Sequence, residues 1–175
     1  MEYSFTQLED GPTLGLHKAG RWDEVLEIEK CWLTTDVGNA IRNRMRDWAR
    51  EEKLVAYDQE THEGYLRHVV VREGRNTGPA LVQLVPTRAK RFDRERLIEV
   101  LTEIPAVRSI HWSENRGVSE VTNLPTELLW GEDAIEEEIG GLRLRVRPNA
   151  FIQTNTEMAA ELYGIAREFA GLTGG

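Results

Sequence analysis

At 175 residues the chain is long enough for one domain with a sizeable core, or for one domain and part of a second. Hydrophobic residues at 40%, charged residues at 30% and five tryptophans exclude a disordered or low-complexity chain. A net charge of −8 excludes a general electrostatic grip on nucleic acid, so DNA binding is not expected and any RNA contact must be local.

In chain order, YSFTQ and TLGLHKAG flank Glu9-Asp10-Gly11-Pro12 and predict a hairpin with a turn fixed by Gly and Pro. Its second arm runs into a short basic stretch, His17, Lys18 and Arg21. A further strand is predicted over 25–28. From 37 to about 53 the period becomes helical: Ile41, Met45, Trp48 and Ala49 share one face, and Arg42, Arg46 and Arg50 another. Asp36 is the predicted N-cap. The arginine stripe either meets phosphates or, with Asp47, Glu51 and Glu52 among its neighbours, is a solvated helix surface.

GYLRHVVVREGRNTGPALVQLVPT reads as two apolar strands about a Gly and Asn turn. Asp93 caps a helix whose stripe is Leu97, Ile98, Leu101 and Ile104, stopped by Pro105. VRSIHWSEN and VSEVTNL predict a strand pair about Arg116-Gly117, with His111 facing outward. ELLWG, AIEEEIGG and LRLRVRP add short strands, and the adjacent acids of IEEEI read as a solvated run. Alternation in LRLRVRP places Arg143, Arg145 and Arg147 opposite Leu142, Leu144 and Val146, either as a solvated face or as a local RNA contact. Hairpins outnumber crossovers, so the expected fold is α+β: a mostly antiparallel sheet with helices on one face.

No apolar run approaches the roughly 20 residues that span a bilayer, and MEYSFTQLED is no signal peptide, so no membrane contact is expected and the chain reads as cytoplasmic. One cysteine forms no internal disulfide. Chemistry contained within the chain is hard to find. EGRNTG joins two strands instead of a strand and a helix, so it is no phosphate loop. GVSEV lacks the second glycine of a nucleophile elbow. The four histidines have no ligand spacing, and no set of nucleophile, base and orienting group emerges, so no catalytic residue is assigned.

GLHKAGRWDEVLEIEKCWL, GYLRHVVVREG and NAFIQTNTEMAAELY, in that order, resemble segments of the RNA 5-methyluridine methyltransferases, which methylate tRNA and 23S rRNA uracils with S-adenosylmethionine. The F-x-Q-x-N element, Phe151, Gln153 and Asn155, is the most specific part of the resemblance. It implies a central α+β domain over 1–147 and, over 148–175, the first helix of a Rossmann-like methyltransferase domain. In that family a cysteine adds to C6 of the flipped-out uracil, C5 takes the methyl group, and a glutamate removes the C5 proton. Neither residue maps onto this chain, so the resemblance implies one wall of a site, inactive alone and with no cofactor bound to it alone.

It further implies Gln153 and Phe151 at the methyl-donor pocket, and RNA (rRNA or tRNA) as the partner. Lys18, Arg21, Arg145 and Arg147 are the candidate RNA contacts. Cys31 matches the fourth ligand of a four-iron four-sulfur cluster whose other three cysteines would precede Met1; the alternative is a buried free thiol. Asn155 is expected to cap the last helix, with Glu157 and Glu161 outward. Ile165, Ala166 and Phe169 would then be exposed and favour self-association.

Overall fold

The structure, a computed structural model, describes residues 1–21, 23–87 and 92–171. Trp22 of the GLHKAGRW stretch and the last four residues of the predicted 148–175 segment lie outside the described residues. In chain order the elements are β1 (Glu2–Leu8), β2 (Gly11–His17), β3 (Val25–Glu27), α1 (Asp36–Glu51), β4 (Leu66–Glu73) and β5 (Ala80–Pro86). They continue with α2 (Arg94–Thr102), β6 (Val107–Trp112), β7 (Glu127–Gly131), β8 (Ile135–Ile139), β9 (Leu142–Val146) and α3 (Thr156–Phe169).

Seven strands form one sheet in the order β3-β2-β1-β4-β5-β6-β7, and β8 and β9 form a separate hairpin. Every pair is antiparallel except β5 with β6, whose parallel register follows from the crossover through α2. The expected α+β class with a mostly antiparallel sheet is therefore what the chain adopts.

Alternation decides which face of the sheet receives the helices. Tyr3, Phe5, Val69, Val71, Val82, Leu84 and Ile110 make one apolar face. Against it lie Ile41, Met45, Trp48 and Ala49 of α1, and Leu97, Val100 and Leu101 of α2, all buried. Burial of each large side chain contributes roughly 1.5–3 kcal/mol. Leu81, on the other face, packs under the β8–β9 hairpin with Ile135 and Val146.

Several expectations are corrected by packing. The N-cap of α1 is Thr35, whose hydroxyl accepts from the Val37 and Gly38 backbone N–H groups, and Asp36 is already inside the helix. Arg42 is not on a solvated stripe but fully buried, donating to the carbonyls of Leu14 (3.0 Å) and Glu29 (2.7 Å). Residues 118–124 form no strand; β6 pairs instead with β7.

The reason lies in side chains that take the carbonyls a strand would offer to a neighbour. Arg67 donates to the carbonyls of Gly117 (2.6 Å), Val118 (3.1 Å) and Ser119 (3.0 Å), and Gln83 donates to Thr122 (3.2 Å). His111 is buried, not outward, with Nε2 2.9 Å from the Ser109 hydroxyl. Glu137, in the middle of IEEEI, is also fully buried: its carboxylate accepts from the backbone N–H groups of Arg75 (2.6 Å) and Asn76 (3.1 Å) and so seats the β4–β5 turn on β8. Leu142 and Leu144 of β9 are exposed, leaving Val146 as that strand's buried contact.

Candidate functional site

One groove collects the two segments singled out around Cys31 and Gln153. It is lined by Leu33 before α1, Val71, Arg72 and Glu73 at the end of β4, Arg75 in the following turn, and Ile152, Gln153 and Thr154 before α3. The first wall is fixed by polar ties at both ends. Asn39 of α1 accepts from the Cys31 backbone N–H (2.8 Å) and donates to its carbonyl (3.0 Å). The hydroxyls of Thr34 and Thr35 both donate to the Glu73 carboxylate. Gly38 makes that approach feasible, since a Cβ there would lie 2.1 Å from Thr34 Oγ1 and 2.7 Å from Glu73 Oε2.

Trp32 and Leu33, held between these ties, are nevertheless 82% and 67% exposed. The second wall is tethered by Arg75, which donates to the Thr154 carbonyl (3.2 Å), and by Arg72, 3.4 Å from the Pro148 carbonyl and 3.6 Å from a Glu2 carboxylate oxygen. Burial pushes the Arg72 guanidinium below its usual range, against the nearby Glu2 charge. It remains a cation at any ordinary pH. The Gln153 amide, with donor and acceptor, has no hydrogen-bond partner among the described residues and borders the groove. Phe151 is 86% exposed.

A second cluster was not legible in the sequence. Arg67 stacks over the Tyr57 ring at 4.4 Å and pairs with Glu120 at 2.5 Å. Glu120 also meets His68 Nε2 at 2.6 Å, and His68 Nδ1 lies 3.2 Å from the Ser4 hydroxyl, itself 2.9 Å from His17 Nε2. Burial favours the neutral Glu120 acid, but hydrogen bonds and charge from His68 and Arg67 outweigh it and hold its pKa down at about 2. With its guanidinium committed to Glu120 and three carbonyls, Arg67 acts as a clasp for residues 117–119.

The structure does not bring the four candidate RNA contacts into one patch. Lys18 and Arg21, in the β2–β3 connection, pair with Glu24 (2.8 Å) and Asp23 (2.7 Å). Arg145 and Arg147 sit at the far end of β9 and share Asp133, Arg147 at 3.3 Å. All these pairs are exposed, so each side chain can exchange its carboxylate for a phosphate at small cost.

Cys31 is buried beside α1. It is the chain's one cysteine, and among the described residues no three potential metal ligands converge, so these residues alone do not fit an iron–sulfur cluster. For S-adenosylmethionine the fit is partial: an unpartnered amide and two guanidinium groups border the groove, suited to a polar ligand edge. Asn155 caps α3 as expected, its side chain accepting from Met158 N–H.

No protein-family profile matches the chain. An RNA methyltransferase of Bacteroides thetaiotaomicron, named as uncharacterized, is 39% identical over 166 residues, which is 92% of this chain and 36% of the relative. The tRNA (uracil(54)-C(5))-methyltransferase of Pyrococcus horikoshii is 31% identical over 149 residues, 85% of this chain and 35% of its own length. Among solved structures, the Pyrococcus abyssi tRNA (uracil-54, C5)-methyltransferase in complex with S-adenosyl-L-homocysteine superposes with a TM-score of 0.79 at 27% identity. That match covers 100% of this chain and 41% of the archaeal one. The chain thus spans little more than a third of the length of the curated relatives it matches. In sequence along nearly its whole length, and in fold, it belongs to the RNA uracil-C5 methyltransferase family.

Proposed function

We propose that this chain is the RNA-positioning and pocket-edge part of an enzyme that transfers a methyl group from S-adenosylmethionine to C5 of a uridine in tRNA or rRNA, in the cytoplasm. The observation that carries the reading is that the whole of this chain superposes on 41% of the archaeal tRNA methyltransferase solved with S-adenosyl-L-homocysteine. Residues 1–147 form the central domain, and 148–175 begin the methyltransferase domain.

In this reading Gln153 offers its free amide to the methyl donor, and Phe151 packs beside the donor or the extruded base. Lys18, Arg21, Arg145 and Arg147 leave their exposed carboxylate partners to hold phosphates, orienting the strand without reading its sequence. S-adenosylmethionine, when bound by the whole enzyme, supplies the electrophilic methyl group. Cys31 is an orphan cluster ligand whose companions lie on other parts of a cluster-bearing protein. The nucleophile and base lie outside these residues, so the chain by itself is inactive.

Two measurements on the 175-residue chain test this. Calorimetric titration with S-adenosylmethionine is expected to show no tight, stoichiometric capture, whereas a uracil-containing RNA hairpin binds at low salt. Tight capture of the methyl donor, or no RNA binding at any salt, overturns the proposal. A second reading, a protein-contact role, is favoured by α3, where Met158, Leu162, Tyr163, Ile165 and Phe169 are all exposed. Self-association through that face is its simplest form.

A further inference from the structure

The exposure of Trp32 and Leu33 demands an explanation, because it is built into the fold. Their backbone is anchored on one side by Asn39, which takes both polar groups of buried Cys31, and on the other by Thr34 and Thr35 on Glu73. Lys30 Nζ stands 4.8 Å from the Trp32 ring centroid, and its partner Asp36 is a 92% exposed carboxylate at 3.1 Å. Two large apolar side chains are thus displayed to water by a loop tied down at both ends, at a cost the fold could avoid by burying them.

The display has a place. Leu33 lines the groove that holds Gln153, Arg72 and Arg75, and Phe151, equally displayed at 86% exposure, precedes the Ile152 and Gln153 of the opposite wall. Each wall of the groove therefore continues into an exposed aromatic residue, with cations at Lys30, Arg72 and Arg75. Aromatic faces beside cations are how proteins hold unpaired nucleobases, the ring stacking on the base while the cation faces the backbone.

We propose that Trp32, backed by Lys30 and extended by Leu33, is a stacking platform for an unpaired base of the RNA strand, next to the Gln153 groove. The inference rests on the RNA reading above and adds a residue to it: Trp32 selects single-stranded over paired RNA by contact with one base. A closed helix offers no free π-face to the ring, so the platform gains nothing from duplex RNA.

The test compares a fluorescein-labelled RNA hairpin carrying an unpaired uracil-containing loop with a fully paired duplex of the same length, by anisotropy at low salt. Trp32→Ala is expected to weaken hairpin binding about 5- to 150-fold, the range that loss of one stacked base implies, and to leave duplex binding unchanged. Trp32→Phe restores most of the affinity, and Lys30→Ala gives a smaller loss that disappears at high salt. Because the side chain is solvated, thermal melting of Trp32→Ala should match the wild type. Wild-type hairpin affinity in Trp32→Ala, or equal losses on hairpin and duplex, overturns the platform while leaving the RNA reading intact. Absence of hairpin binding by the wild type defeats both. A wild-type dimer in sedimentation that becomes monomeric in Trp32→Ala reassigns the loop to a protein contact and also overturns it.

Discussion

Arg67 shows how far one side chain can organise its surroundings. In LRHVVVRE it occupies a position that simple alternation leaves ambiguous, and the bulge between Leu66 and His68 turns it toward residues 117–120. No local pattern announces this, because its partners lie 50 to 53 residues away in sequence. Arg67→Ala is expected to cost about 3 kcal/mol, since it strands Glu120 and frees three carbonyls. Hydrogen exchange should show residues 117–121 losing protection first.

The pH dependence follows from Glu120 and His111. Glu120 has a pKa depressed from 4.5 to about 2, so its contribution is complete above pH 4.5 and is lost as pH falls toward 2. That amounts to up to about 3 kcal/mol. His111, whose pKa burial lowers below 6.5 against the nearby Asp133 charge, acts in the same direction, its share fading as pH drops below 6.5. Denaturant melts from pH 7 to 2.5 should reveal a loss that Glu120→Gln flattens in the lower part of the range. By contrast Gln153 and Cys31 were legible as residues of interest only through a resemblance, since neither has a spacing that demands chemistry.

At the scale of elements, periodicity was a good guide wherever one face met a core. The stripes of α1 and α2 and the apolar runs of β4 and β5 were readable because burial enforces them. It misled where polar groups are buried by pairing: Arg42 in α1, His111 in β6 and Glu137 in β8 all look solvated in sequence and are enclosed in the structure. α3 is the opposite case. Only Thr156 and Ala159 of this helix are buried, and its large apolar side chains point away from the body. Sedimentation velocity over a concentration series should therefore show reversible association, and Ile165→Ser with Phe169→Ser should return the chain to a monomer. A strict monomer in the wild type would remove the protein-contact reading.

Across the whole molecule the acidic charge and the local cations act together. On the proposed RNA reading, with eight excess negative charges, phosphates are held where they meet Lys18, Arg21, Arg145 and Arg147, with Lys30 behind the Trp32 ring, and are repelled by the acidic surface elsewhere. The salt dependence of hairpin binding should be modest. Arg145→Ala with Arg147→Ala should reduce its logarithmic slope by about 1.4, the release expected for two phosphates of a single strand. An unchanged slope would place the phosphate contacts elsewhere. The sheet order itself was beyond sequence reading, because nothing local says that β1 lies beside β4.

That seam has a consequence for how the polypeptide is made. Ser4 and His68 meet across it although they are 64 residues apart. At a ribosomal pace of 5–20 residues per second, the first hairpin leaves the exit tunnel about 3 to 13 s before the strand that will cover its open side. Through that interval β1 offers unpaired amides and the uncovered rings of Tyr3 and Phe5, a template for pairing with other nascent chains. Biogenesis, more than the finished molecule, is where this domain is most vulnerable to aggregation.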